Sequence, residues 1–207
     1  MPVDGRLARG DATRRAVLRH AVDVASVHGL DGLSLGGIAT ELSLSKSGVF
    51  ALFGSKEDLQ LATIKVADEI FAEHVLRPTA EVTPGIARLR ALCDNWLSYC
   101  ERRIFPGGCF FFNVGAEFDA RPGRVHDAIA VAGKAFTRFI TRTVTDAVRL
   151  GELAPGTDVA RLAFTLHALG RAANADAVLH GGTDAYRLAR ECMHAQLDAA
   201  RGPRPAN

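Results

Sequence analysis

Apolar residues recur along this chain at helical spacing, and no stretch alternates with the two-residue period of a strand. Leu35, Ile38, Ala39 and Leu42 stand at i, i+3, i+4 and i+7, which makes one buried face of a short helix over residues 35–42. Ser43-Leu44 is then a turn. A second short helix, residues 46–52, takes its apolar anchors from Val49, Phe50 and Phe53, and a third starts after Ser55. Upstream, residues 15–29 are amphipathic. Downstream, Gly and Pro punctuation divides the chain into helix-length pieces. These are residues 56–77, ended by Pro78, then 84–103, 109–118, 124–150, 158–180 and 184–200. The pattern predicts an all-α protein.

Each of the three leading helices is introduced by a serine. Ser34, Ser45 and Ser55 can accept an otherwise unpaired backbone N–H of the following turn, and Asp58, three residues after Ser55, resembles the far side of a capping box. A capped first turn also carries a partial positive charge that attracts phosphate. A helix, a tight turn and a second helix with small polar groups at its start together form the motif that places a recognition helix in the major groove of DNA. On that reading Lys46 and Ser47 face the groove, Gly48 permits close backbone approach, and Val49 touches a thymine methyl. Ser34, Ser45, Lys56 and Arg14 are the expected phosphate contacts.

The stretch from Thr13 to Leu61 resembles the N-terminal region of TetR-family transcriptional regulators. The residues that carry the likeness are Ala21, Gly29, Ile38-Ala39, Ser45-Lys46, Phe53 and Lys56-Glu57-Asp58-Leu59. Two positions depart from the family pattern. Ser43 stands where glycine is frequent, so it must enter the turn conformation with a Cβ. Phe50 replaces a usual tyrosine, which removes a phosphate hydrogen bond of about 1 kcal/mol net but keeps a ring expected to pack the domain, and Phe50 is counted with Lys46, Ser47, Gly48 and Val49 among the expected DNA-binding residues. The resemblance implies a helix-turn-helix domain over residues 1–55 and a helical-bundle domain for effector binding and dimerisation over 56–201, with a disordered tail at 202–207. It implies a homodimer on a palindromic operator, released by a small-molecule effector, with a repressor as the expected sense. The alternatives are an activator, or a DNA-binding regulator without a ligand.

Composition adds limits. The chain has 207 residues, 48% of them hydrophobic, which suffices for a buried core, and its net charge of +2 says little about nucleic acid. Placement says more: Arg6, Arg9, Arg14 and Arg15 gather near the start, and Lys46 and Lys56 sit in first turns of helices. The four cysteines (93, 100, 109 and 192) form no CxxC pair, and no apolar core follows Met1-Pro2-Val3-Asp4, so a cytoplasmic protein is expected. No run of 18 apolar residues suggests a membrane span.

Enzyme and metal readings fail on context. Residues 32–36 match GxSxG, but a nucleophile elbow needs a strand before the serine, and here a helix precedes it. The seven histidines show no metal-ligand spacing, so no metal or cofactor is expected. Aromatic residues concentrate between residues 96 and 118. Plain core packing is one reading of them; the other, which the family resemblance implies, is an apolar effector pocket, with Trp96, Tyr99, Cys100, Phe112, Asn113, His126 and Phe136 as its candidate lining and Asn95 and Glu117 as further polar contacts. In the last two helices apolar and small residues cover more than one face. Leu162, Leu166, Leu169, Ala173, Tyr186, Met193 and Leu197 are the candidate dimer interface, the alternative being packing within their own domain.

Overall fold

The computed structural model describes residues 3–201, with side chains from residue 10 onward. The tail at 202–207, expected to be disordered, lies outside the described residues. Within them are ten α-helices: α1 (Val3–His28), α2 (Leu35–Glu41), α3 (Lys46–Phe53), α4 (Lys56–Phe71), α5 (Arg77–Glu81), α6 (Ile86–Glu101), α7 (Phe110–Phe118), α8 (Arg124–Arg149), α9 (Val159–His180) and α10 (Asp184–Ala199). The β structure among these residues is an isolated bridge between Leu153 and Arg201. The all-α reading is correct.

Two boundaries differ from expectation. The first helix starts at Val3, well before residue 15. The helix over 56–77 does not stop at Pro78; a π-helical turn, Ala72–Leu76, carries it into α5, where Pro78 occupies the first turn. Proline lacks an N–H and crowds the preceding turn, and a wider turn ahead of it relieves both problems.

The described residues form two compact units. One runs to Glu69 and takes back Phe105–Val131; the other holds Ile70–Ile104 and the chain from Ala132 onward. The expected division after residue 55 therefore does not coincide with them, because α4 begins in the first unit and α7 belongs to it. In the first unit Val17, Ala21, Val22 and Ala25 of α1 form a core with Leu30, Leu33, Ile38, Ala39, Val49 and Phe53. In the second, α9 packs on α10 and both pack on α6, burying Leu89, Trp96, Leu97, Leu166, Tyr186, Met193 and Leu197. The N-terminus of α6 follows Gly85 at φ 118, and the Glu152 carboxylate accepts the Ile86 N–H at 2.6 Å, acting as its cap from far along the chain.

Candidate nucleic-acid interface

The serine caps form as the spacing predicts. Ser34 Oγ accepts the Gly37 N–H at 2.9 Å, Ser45 Oγ accepts the Gly48 N–H at 3.1 Å, and Ser55 Oγ accepts the Asp58 N–H at 3.0 Å. Ser55 also donates its hydroxyl to the Asp58 carboxylate at 2.7 Å. A Cβ on Gly37 would lie 2.7 Å from Ser34 Oγ, and one on Gly48 2.8 Å from Ser45 Oγ, so both glycines make room for their own caps. Ser34 and Ser45 are exposed and, as acceptors, keep an O–H free to donate. Between α2 and α3, Ser43 sits at φ 54, the left-handed conformation its position demands despite its Cβ.

The roll of α3 about its axis corrects two side-chain assignments. Val49 is buried at 1% exposure and cannot reach a base, whereas Phe50 is 58% exposed and does not pack the domain. Adjacent helical residues point about 100° apart, so burying one of this apolar pair exposes the other. Lys46 and Ser47 are exposed, as expected of groove-facing groups. Arg14, expected at phosphate, is half-buried: its guanidinium donates to the Leu52 carbonyl at 2.7 Å and lies 4.5 Å above the Phe53 ring. It fastens α1 to the end of α3. Lys56 donates to the Asp31 carbonyl at 2.6 Å and pairs with the Asp31 carboxylate at 3.8 Å.

Around that turn lies a set of contacts that sequence reasoning missed. Glu117 of α7 accepts the Leu30 N–H at 2.7 Å and the Asp31 N–H at 2.8 Å. Gly29, at φ 74, admits it, since a Cβ there would fall 2.5 Å from Glu117 Oε2. Asn113 donates to the carbonyls of Ser26 (2.8 Å) and Gly107 (3.0 Å), and the Gly107 N–H meets Ser26 Oγ at 3.0 Å. Arg121 pairs with Asp31, and Arg124 with Glu57 at 3.0 Å. Asn113 and Glu117 are therefore structural ties rather than pocket groups, because the Asn113 amide nitrogen and both Glu117 carboxylate oxygens are already bonded to backbone. Asn95 likewise donates to Thr79 Oγ1, and His126 bonds Asp127 at 2.9 Å.

Of the other expected pocket residues, Trp96, Tyr99 and Phe136 come together in the second unit, while Phe112 belongs to the first. Phe71 meets Tyr99 and Phe136 edge-on at 5.4 and 5.0 Å, Trp96 meets Phe136 at 4.9 Å, and His167 stacks on Trp96 at 5.7 Å. Trp96 Nε1 is buried with no hydrogen-bond partner among the described residues. Burial, then the nearby Arg171 charge, pulls the His167 pKa below its ordinary value. Cys93 and Cys100 are buried, and burial raises the Cys93 thiol to about 12, the behaviour of a small core residue rather than a redox thiol.

Residues 17–63 match the family model described as bacterial regulatory proteins, tetR family, and residues 85–193 match that of the tetracyclin repressor-like C-terminal domain. The chain belongs to the TetR family. Its helix-turn-helix is that family's DNA-binding, transcription-regulating element. No curated protein matches the chain. Among solved structures, a TetR regulator from Chloroflexus aurantiacus gives a TM-score of 0.87 at 25% identity, covering 94% of this chain and 98% of its own. AibR, solved with isovaleryl coenzyme A and operator DNA, gives 0.72 at 20% identity over 88% and 96% of the two chains. A regulator from Saccharomonospora viridis, solved with choline, gives 0.79 at 18% identity over 94% and 100%.

In this TetR-family chain the predicted dimer stripe requires correction. Leu162, Leu166, Ala173, Tyr186, Met193 and Leu197 are buried within their own unit, the last two at 0% exposure, and Leu169 is half-buried. They are the contacts by which α9 and α10 pack on α6. A second stripe faces outward: Phe164 (73% exposed), Ala168, Ala172 and Leu179 (78%) on α9, with Leu188 (51%), Cys192 and Ala195 on α10. Among the described residues no cluster of three ligating side chains suits a metal, and no helix is long and apolar enough to cross a membrane.

Proposed function

We propose that this chain is a repressor that binds a palindromic operator as a homodimer in the cytoplasm and is released by a small-molecule effector. The observation that carries the reading is the outward stripe of α9 and α10. Large apolar side chains at this exposure, on two helices that pack against each other, are of the kind that marks an association surface. Two copies related by a two-fold axis bury it against itself. A two-fold pair supplies two copies of α3, which reading successive major grooves requires to be about 34–36 Å apart, and doubles the set of bases contacted.

An effector site is supported by the Trp96 indole N–H, since leaving such a donor buried and unmet costs about 1–3 kcal/mol. An apolar molecule with an acceptor oxygen, lodged beside Trp96 and Phe136, answers it. Structural relatives of this fold hold isovaleryl coenzyme A or choline, so the architecture accommodates small organic ligands. Ser34 and Ser45, with Lys46 nearby, are the groups offered to the phosphates, and Lys56 adds positive charge at the start of α4. Release requires the effector to favour a dimer geometry that no longer fits successive grooves. The N-terminal turns of α4 and α8 are tied together through Arg124 and Glu57, so motion of either helix reaches the Asp31 turn.

The test combines selection of bound duplexes from a random pool with light scattering and a compound screen. A dimeric mass, an inverted-repeat sequence, and a compound that both shifts the fluorescence of Trp96, the sole tryptophan, and releases DNA are expected. Phe164→Glu with Leu179→Glu should yield a folded monomer with weakened operator binding. A monomeric wild-type protein, or a selected site without two-fold symmetry, overturns the reading. Activation of transcription from the selected site would overturn the repressor assignment alone.

A further inference from the structure

We infer that α3 recognises its half-site chiefly through pyrimidine C5-methyl groups, and that the Phe50 ring is the principal reader. The inference rests on α3 being the helix that enters the major groove. α3 is Lys-Ser-Gly-Val-Phe-Ala-Leu-Phe: it holds no arginine, asparagine or glutamine, and Lys46 in its first turn is its one side chain able to bond a guanine through two hydrogen bonds. Val49 and Phe53 turn inward. The side chains left on the open face are Lys46, Ser47, Phe50 and Ala51, all exposed. Lys46 and Ser47 supply the hydrogen-bonding groups at the helix start.

The remaining open face is apolar. Ser47, Gly48 and Ala51 are small, so the helix can sit close to the groove floor, and Phe50 is the one large apolar side chain on its open face. A methyl group on C5 is the only apolar feature a base pair shows in the major groove, and thymine always carries it. A single exposed apolar residue is ordinary on a protein surface. This one stands beside the buried Val49 on a helix whose axial roll Arg14 holds through the Leu52 carbonyl, so its exposure is built in. The same methyl is present on 5-methylcytosine, so the chemistry recognised is the methyl and not the thymine pairing edge.

Once an operator has been selected, each thymine in the half-site is replaced singly by deoxyuridine, which lacks only that methyl. At the positions under Phe50 affinity should fall about fourfold, the worth of one buried methyl group. Phe50→Ala should bind more weakly and no longer distinguish thymine from uracil there, while Phe50→Leu should keep part of the distinction. Replacing the critical thymine pair with a 5-methylcytosine pair should bind better than an unmethylated cytosine pair. Equal affinity for thymine and uracil at every half-site position, with operator binding intact, overturns the inference, as does a Phe50→Ala protein that still discriminates. Failure of the protein to bind any duplex would instead overturn the assignment of α3.

Discussion

Where α1 ends, at residues 26–31, far-off segments of the chain are joined to it by carboxylate and amide groups: Glu117 on two backbone N–H groups, Asn113 on two carbonyls, Arg121 and Lys56 on Asp31. Where α6, α9 and α10 meet, in the other unit, the contacts are mostly apolar, with Leu89, Leu166, Met193 and Leu197 almost fully enclosed. Polar ties of the first kind are directional. They hold a turn in one orientation while each adds modestly to stability. Enclosed apolar groups are less directional and carry more of the free energy of folding. Damage in the first region should thus change how the DNA reader is held, and damage in the second should change whether the unit folds.

The largest effect is expected in the second region. Leu197→Ala, at a site with 0% exposure, should lower unfolding free energy by about 2–5 kcal/mol in urea denaturation. A loss below about 1 kcal/mol would mean that α10 is not an integral layer of that unit. Next, Glu117→Ala should cost about 1–3 kcal/mol and speed amide hydrogen exchange at Leu30 and Asp31 more than elsewhere. If exchange rose evenly across the chain, the carboxylate would not be a local tie.

Ser45→Ala should remove about 1 kcal/mol through its N-cap and, on the proposed assignment of the same hydroxyl to phosphate, weaken operator binding beyond the stability loss. Ser45→Asp separates the two roles. It restores the cap and repels the phosphate, so thermal stability should recover while binding should not.

The smallest effect concerns His167. Its pKa in the folded protein lies below the ordinary 6.5, so the unfolded chain takes up a proton more readily. Stability is then full above about 6.5 and is lost as pH falls through that value toward the folded pKa. Urea midpoints compared between about pH 5 and pH 8 should flatten in His167→Gln. An unchanged slope would show that His167 is not held neutral among the rings.

How far each part was legible follows the range of the forces involved. Ser34, Ser45 and Ser55 were recognisable because a cap involves residues three apart, and the left-handed turn at Ser43 was expected because the family that this stretch resembles frequently has glycine there. Pro78 was misread as a stop, since the π-helical turn that absorbs it leaves no mark in composition. Glu117 was visible as a charged residue, but its partners lie 86 and 87 positions away. Its one sequence signal was Gly29, a glycine able to admit a carboxylate against the backbone.

Spacing, caps and punctuation were sufficient for the order of the main helices and for the DNA-reading element, because those depend on neighbours within a few turns, and the family came from the motif residues that this stretch shares with it. Which side of each helix turns inward depended on the assembled neighbours. Val49 and Phe50 are both apolar, and α9 carries two apolar stripes. The choice between them minimises exposed apolar surface for the whole unit, a quantity that no local stretch contains.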